Sequence, residues 1–258
     1  MTNMNQKLSA LLNLSLEEKV KASKKFIKEW YDKNDGKVFV SYSGGKDSTA
    51  LLHLCRQVYN DIPAVYLETG LEYPEVDEFA KATENVVCLK PKMTYEEVTS
   101  LYGYSVLSKK ITAAINTYQN SDRNQDDLLE LKNKVGASYL YLKDIPCKVS
   151  NQCCMVLKEE PLNRYIGQSK RKPIVGILAE ESLGRIRRFI IDGVNQYENS
   201  ISYPIIFWSE ADVKQYLKEN DIPYCSIYGD FETYGEKRTI CIYCLRGVHF
   251  EESPNRFE

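Results

Sequence analysis

The chain has 258 residues, of which 43% are hydrophobic and 27% charged, with a formal net charge of -2. That composition excludes a disordered or fibrous chain. The near-neutral balance excludes a global field that draws the protein onto nucleic acid, so such binding needs a local basic patch. Candidate patches lie at 21–28, 169–172 and 185–188, and each reads equally as a solvated helix face or loop.

Residues 5–33 read as one or two amphipathic helices. Ser15-Leu-Glu-Glu18 offers a capping box, and apolar residues recur at Val20, Phe26, Ile27 and Trp30. Residues 37–42 form a short β-branched run, a buried strand, followed by a helical pattern over 46–59 and a second strand at 63–68. A helix with Pro74 at its start covers 74–84, a third strand 85–89, and another helix 94–102. Strand and helix alternate, which predicts right-handed crossovers on a doubly wound, mainly parallel α/β sheet.

Over 105–142 the alternation gives way to a polar stretch with two helical patterns, an insertion at about 105–145 that shapes a substrate entrance. Residues 173–178 restore a strand, and Ser209-Glu-Ala-Asp212 caps a helix over 212–220. The expected organisation is an N-terminal helical segment (1–34), a nucleotide-binding α/β domain (35–208), and a C-terminal helix with a Cys-x-x-Cys region (209–258) packing on it.

No stretch has the order of a secretory signal, and no apolar run approaches the roughly 18 residues that cross a bilayer. A cytoplasmic protein without membrane contact is expected. In a reducing compartment the eight cysteines are thiols, metal ligands or catalysts in preference to disulfides.

The stretch Ser41-Tyr-Ser-Gly-Gly-Lys-Asp-Ser-Thr-Ala-Leu-Leu52 stands between the first strand and its helix. Paired glycines let the backbone turn sharply and aim successive N–H groups at an anion, while the helix start adds positive potential. The spacing fits neither the Walker loop nor the dinucleotide fingerprint. Ser43-Gly-Gly-Lys-Asp-Ser48 instead matches the SGGxDS motif of the PP-loop ATP pyrophosphatases. That resemblance implies that Ser43, Gly44, Gly45, Lys46, Asp47 and Ser48 hold a triphosphate for attack at the α-phosphorus. Lys46 then neutralises the leaving pyrophosphate, Ser43 and Ser48 donate hydroxyls, and Asp47 positions Mg²⁺ or serves as a helix N-terminal carboxylate.

The end of the second strand should meet the same nucleotide. Glu68, Thr69 and Gly70 lie in a segment, Tyr66 through Glu75, that resembles the D/E-T-G-x-x-x-P-E segment of the PAPS reductase family, where it borders the adenosine. A helix-leading turn is the plainer alternative.

Cys153-Cys154 and Cys241-Ile-Tyr-Cys244 form a possible ligand quartet. Consecutive cysteines rarely wrap one tetrahedral ion, whereas a [4Fe–4S] cluster offers separate irons, so the cluster is preferred and zinc is the alternative. The segment from Cys153 to Arg164 resembles the CC-x-x-x-K-x-x-P-L-x-R stretch of adenylylsulfate (APS) reductases, which use this cysteine arrangement for a cluster. Similar likenesses occur over 176–185 and 204–213, so the resemblance runs from about residue 38 to 244. It implies that Arg185 and Lys158 face nucleotide phosphates or the cluster, and Leu178 stands where the family has arginine. Cys55 and Cys88 read as small core residues, Cys147 and Cys225 as loop thiols, and neither His53 nor His249 is assigned a ligand role.

The reductases cleave a sulfonucleotide with a nucleophilic cysteine near the C-terminus. No cysteine follows Cys244 in this sequence, and the phosphate loop is the complete ATP-cleaving form. The favoured expectation is an enzyme that binds ATP, activates an acceptor oxygen with loss of pyrophosphate, and transfers sulfur to a nucleic acid or small molecule. Lys109, Lys110, Arg185, Arg187 and Arg188 could guide a polyanion. The catalytic set is then Lys46, Asp47 and Arg185, the partners a sulfur donor or reductant protein, and the assembly a homo-oligomer. Two alternatives stand beside it: an APS/PAPS reductase using Cys147 or Cys225, and a non-catalytic nucleotide- and redox-sensing module.

Overall fold

Short apolar runs alternate with amphipathic stretches, and the chain folds as that pattern dictates. The computed structural model describes residues 10–196, 198, 200–239 and 241–244, the Arg188 side chain excepted. Residues 5–9 of the first helical pattern, His249 and the segment 245–257 lie outside the described residues. Two compact units divide the chain, one from Met1–Leu67, Pro74–Leu89 and Arg164–Lys237, the other from Glu68–Tyr73, Lys90–Asn163 and Arg238–Glu258.

The first unit holds the sheet. Its elements are α1 (Leu16–Lys33), β1 (Val38–Tyr42), α2 (Lys46–Val58), β2 (Ala64–Leu67), α3 (Pro74–Ala82) and β3 (Val86–Leu89). The strands β4 (Lys172–Val175), β5 (Asn195–Gln196) and β6 (Ile201–Ser202) complete a six-stranded sheet ordered β3-β2-β1-β4-β6-β5. Every pairing is parallel except β5 with β6. The doubly wound, mainly parallel α/β sheet predicted from the alternation is therefore the fold. Val38, Val40, Ala64, Tyr66 and Ile174 form its buried floor, covered by Ile27, Trp30, Leu51, Leu54, Phe207 and Trp208.

Local signals place the helix ends. The Ser15 and Glu18 capping box is made as expected, and Ser209 caps α10 (Glu210–Glu219) through a box with Asp212. Asp212 does more than cap: the Lys19 ammonium reaches it across the unit at 2.6 Å. Ser23 Oγ accepts from Trp208 Nε1 at 2.9 Å and donates to the Pro204 carbonyl at 2.8 Å, which satisfies polar atoms in the same interior.

Two features depart from the sequence reading. Cys88 is exposed and not a core residue, because β3 is the sheet edge and the strand is only half-buried elsewhere. Leu183–Asp192 is a helix, α9, capped by the Ser182 side chain, which accepts from Arg185 N at 3.2 Å.

The second unit is helical. It contains α4 (Tyr95–Tyr102), α5 (Lys109–Gln119), α6 (Gln125–Val135), a 3₁₀ segment Ala137–Asp144, and a helical run that starts with α7 (Gln152–Cys154). That run widens into a π segment, Met155–Glu159, before continuing as α8 (Glu160–Ser169), whose last turns belong to the first unit. Ile115, Leu131, Val106 and Val149 form one core of the second unit, and Leu71, Val98 and Leu157 another. No helix among the described residues is long and apolar enough to cross a membrane.

The Lys19–Asp212 pair generates a stability prediction. Burial alone pushes the Asp212 carboxyl up, but Lys19 and the Ser209 hydrogen bonds outweigh it and hold the group below its usual value. A depressed folded value stabilises above the unfolded carboxylate range of roughly 3.9 and is lost as pH falls through the folded value. Lys19→Met should cost about 2–3 kcal/mol at neutral pH, less than the full penalty for orphaning a buried charge because Ser209 still serves Asp212. Urea denaturation at neutral and acid pH should show the variant losing less stability on acidification than the parent.

Candidate functional site

In the sheet order, β2 and β3 lie on one side of β1, and β4, β6 and β5 on the other. Strand order reverses there, and such a switch point opens a crevice at the carboxyl ends of the strands. The segment Ser43-Gly44-Gly45 leaves β1 at that end and starts α2 with Gly45 as N-cap, which has no side chain to satisfy the first helical N–H groups. Those donors are available to an anion.

The turn is built from close contacts. Gly44 has φ +73°, and a Cβ there meets Val76 Cγ1 at 2.9 Å and the Val76 carbonyl oxygen at 3.0 Å. At the end of β4, a Cβ on Gly176 meets the Asp47 carbonyl oxygen at 3.0 Å. Two hydroxyls tie the loop to itself: Ser48 Oγ accepts from Ser43 N at 3.2 Å and donates to the Gly45 carbonyl at 2.9 Å, and Ser43 Oγ accepts from Gly45 N at 3.3 Å.

Lys46 is 4% exposed. Its Nζ donates to the Lys237 carbonyl at 3.3 Å and lies 3.6 Å from Asp47 Oδ1, 3.8 Å from Glu210 Oε1 and 5.5 Å from the Tyr228 ring centre. Glu210 was invisible to sequence reasoning, which read 209–212 only as a cap. The expected phosphate residues Ser43, Gly44, Gly45, Lys46, Asp47 and Ser48 thus form one continuous cradle. Arg185, in the same unit, pairs with Glu181 on the preceding turn. Leu178 is buried in the core, so apolar packing occupies the position where an arginine was anticipated.

Glu68, Thr69 and Gly70 belong to the second unit. Thr69 N and Oγ1 both donate to the Glu72 carboxylate, at 3.0 and 2.6 Å, and Glu68 pairs with Lys90 at 3.2 Å. Gly70 has φ +77° with nothing within 4 Å of an added Cβ. Glu72 is a second carboxylate that the sequence did not single out.

The four cysteines of the predicted quartet line one cavity of the second unit, with Tyr95, Ser105, Leu157, Lys158 and Tyr243 around them. Cys153 and Cys154 arrive on α7, while Cys241 and Cys244 sit in a turn closed by a Cys244 N to Cys241 O bond of 3.0 Å and anchored by Ile242 N donating to Leu71 O at 2.8 Å. Tyr95 and Tyr243 stack at 6.0 Å. Burial, then the charges of Cys154, Cys241 and Cys244, push the Cys153 thiol up to about 11. Burial pushes Lys158 down, but Cys241, to which it is hydrogen-bonded, together with Glu72 and Cys154 leaves it above its usual value.

The cysteines surround a space and do not close on a point. Among the described residues no group of three or more Cys, His, Asp or Glu side chains converges to hold one metal ion. A set of four sulfur donors around one cavity fits an iron–sulfur cluster, whose irons are held by separate thiolates. The remaining thiols differ: Cys55 and Cys225 are buried, and burial pushes both up, whereas Cys147 is half-buried. His53 Nδ1 is hydrogen-bonded with the Tyr216 hydroxyl at 2.8 Å, a structural contact.

Comparison with known proteins gives a consistent set of relatives. Residues 37–236 match the family model described as the phosphoadenosine phosphosulfate reductase domain. An uncharacterised protein of Methanocaldococcus jannaschii is 28% identical over 241 residues, covering 92% of this chain but 49% of that protein. The chain therefore spans about half the length of that relative. Adenosine 5'-phosphosulfate reductase of Staphylococcus haemolyticus is 22% identical over 251 residues, 95% of this chain and 84% of the other. Among solved structures, phosphoadenylyl-sulfate (PAPS) reductase from Candida auris, a phosphate complex, aligns with TM-score 0.49 and 16% identity over 90% of this chain and 93% of that one.

The two glycine bends make a matched test. Gly44→Ala places a Cβ against Val76 in addition to forcing alanine to positive φ, whereas Gly70→Ala meets only the backbone cost, about 1–3 kcal/mol. Chemical denaturation should show the Gly44 variant losing more stability than the Gly70 variant.

Proposed function

Because the chain belongs to the phosphoadenosine phosphosulfate reductase family, we propose that it is an enzyme of that family that cleaves ATP at the α-phosphate and uses a cluster-bound cysteine quartet in sulfur transfer. The observation that carries the reading is the complete 43–48 cradle with Lys46 buried against carboxylates. A cradle for α-, β- and γ-phosphates fits ATP better than a sulfonucleotide, which has no β- and γ-phosphates.

In this reading the N–H groups at 44–46 and the start of α2 grip the phosphates. Lys46 exchanges its contacts with Asp47 and Glu210 for the β- and γ-oxygens. An acceptor oxygen attacks the α-phosphorus, the bond to the bridging oxygen breaks, and pyrophosphate leaves with its charge neutralised by Lys46. Asp47 is the residue that would hold Mg²⁺, which would supply charge to offset the phosphates. A sulfur nucleophile from a donor then attacks the acceptor carbon, and AMP departs with the original oxygen.

Cys153, Cys154, Cys241 and Cys244 are the residues that hold a [4Fe–4S] cluster, which supplies iron to bind and activate sulfur. Lys158 offsets the thiolate charge there through Cys241. Within the first unit, Arg185 contributes a cation once released from Glu181.

A second reading, reduction of APS or PAPS, is favoured by one observation: Cys147 is half-buried and lines a cavity, whereas Cys225 is buried. It predicts sulfite release that Cys147→Ser abolishes.

Anaerobically purified protein should show visible absorption and, after reduction with dithionite, a paramagnetic-resonance signal, both lost on Cys153→Ser or Cys241→Ser. With α-labelled ATP and acceptor it should form AMP and pyrophosphate, and Lys46→Ala should slow this by roughly 10²–10³. Unchanged AMP formation in Lys46→Ala sinks the assignment of the cradle.

A further inference from the structure

A cavity of about 620 Å³ opens in the second unit where α4, α5 and the segment 145–152 meet. Small-molecule sites occupy roughly 300–1,000 Å³, so the space suffices for a ligand of nucleotide size. The wall is held in place from two sides. Gln119 donates to the Cys147 carbonyl at 3.0 Å and accepts from Val149 N at 2.8 Å, and Asn116 donates to the Val149 carbonyl at 2.6 Å. Opposite, Tyr104 N donates to the Lys148 carbonyl and Ser150 N to the Tyr104 carbonyl, both at 2.8 Å. A ligand meets a wall that is already ordered.

The lining is selective. Arg123 and Lys148 bring positive charge, and no Asp or Glu is among the lining residues. A cationic ligand finds no partner there. The side-chain amides of Asn151 and Gln152 make no hydrogen bond among the described residues, so their donors and acceptors are available. At the rim Tyr102 and Leu101 are 37% and 56% exposed. Two cations alone suit any anion, but cations, open amides and an aromatic face together suit a phosphate, a base edge and a base plane.

We infer that this cavity binds one unpaired nucleotide, free or within a single strand, with its phosphate at Arg123 and Lys148 and its base at Tyr102, Asn151 and Gln152. The wall ends at Gln152, the residue before the Cys153–Cys154 pair. The cavity is thus the seat of the acceptor for sulfur transfer. That role rests on the proposed function; the binding does not.

Cys147 lines the cavity and reports its occupancy, and exposed Cys88 serves as an internal control. The measurement is the rate of iodoacetamide alkylation at each cysteine, read by mass spectrometry on the full-length protein. Probes are a short single-stranded oligonucleotide, the same strand annealed to its complement, nucleoside monophosphates, and inorganic phosphate. Single strand or monophosphate should slow Cys147 alkylation about 11-fold at about ten times Kd, leaving Cys88 unchanged. Protection by monophosphate alone identifies a free nucleotide; protection by the strand at lower concentration identifies a nucleic acid. Arg123→Glu should abolish protection and Asn151→Ala weaken it. Four results overturn the inference: no probe protects Cys147, phosphate alone protects as well, the annealed duplex protects as well as the single strand, or Arg123→Glu leaves protection intact. Protection that persists while Lys46→Ala retains full AMP formation counts against the proposed function and leaves the binding site standing.

Discussion

The bend at Gly44 is the constraint on which the sheet-bearing unit depends. Its backbone passes so close to α3 that an added Cβ lies 2.9 Å from Val76 Cγ1, and Gly176 allows a comparable approach from the end of β4. Only a chain without side chains at these points can turn from β1 into α2 while neighbouring elements press on both flanks. The approach then fixes where the first N–H groups of α2 point and where Lys46 begins.

Each unit also sets a lysine beside acidic groups, Lys46 buried and Lys158 half-buried. Lys46 lies beside Asp47 and Glu210, and Lys158 beside Cys241, with Glu72 and Cys154 acting on its charge. Burying an ammonium is costly unless it is paired. The pairing of Lys46 with Asp47 and Glu210 offsets that cost within the first unit.

Much of the sheet was legible because β1, β2 and β4 are short β-branched runs bounded by polar residues, and because Ser15, Thr94 and Ser209 announce helix starts by local side-chain chemistry. Cys88 was misread because alternation marks which face a residue takes and not whether its strand is an edge. Helix α9 escaped notice because Gly184 and a run of arginines mask its period. The SGGKDS cradle was visible as a motif. Its carboxylate partner Glu210 was not, since the pairing spans the fold and leaves no local signature. Lys19 and Asp212, 193 residues apart, are hidden for the same reason. Thr69 was singled out by the resemblance of its segment, whereas the partner of its hydroxyl, Glu72, three residues on, was not.

The π segment Met155–Glu159 lies just after the cysteine pair and contains Lys158. A π turn accommodates one more residue than an α turn, and one residue of helix is about 100° of rotation. Trimming a single residue from this segment would leave an ordinary α turn with the flanking helix still in phase, yet it would re-aim the residues inside the segment, parting the Lys158 ammonium from the sulfur it faces. The length of that short stretch, more than its composition, therefore sets where Lys158 points, and a natural variant lacking one residue there would keep all four cysteines and still lose the contact between Lys158 and Cys241.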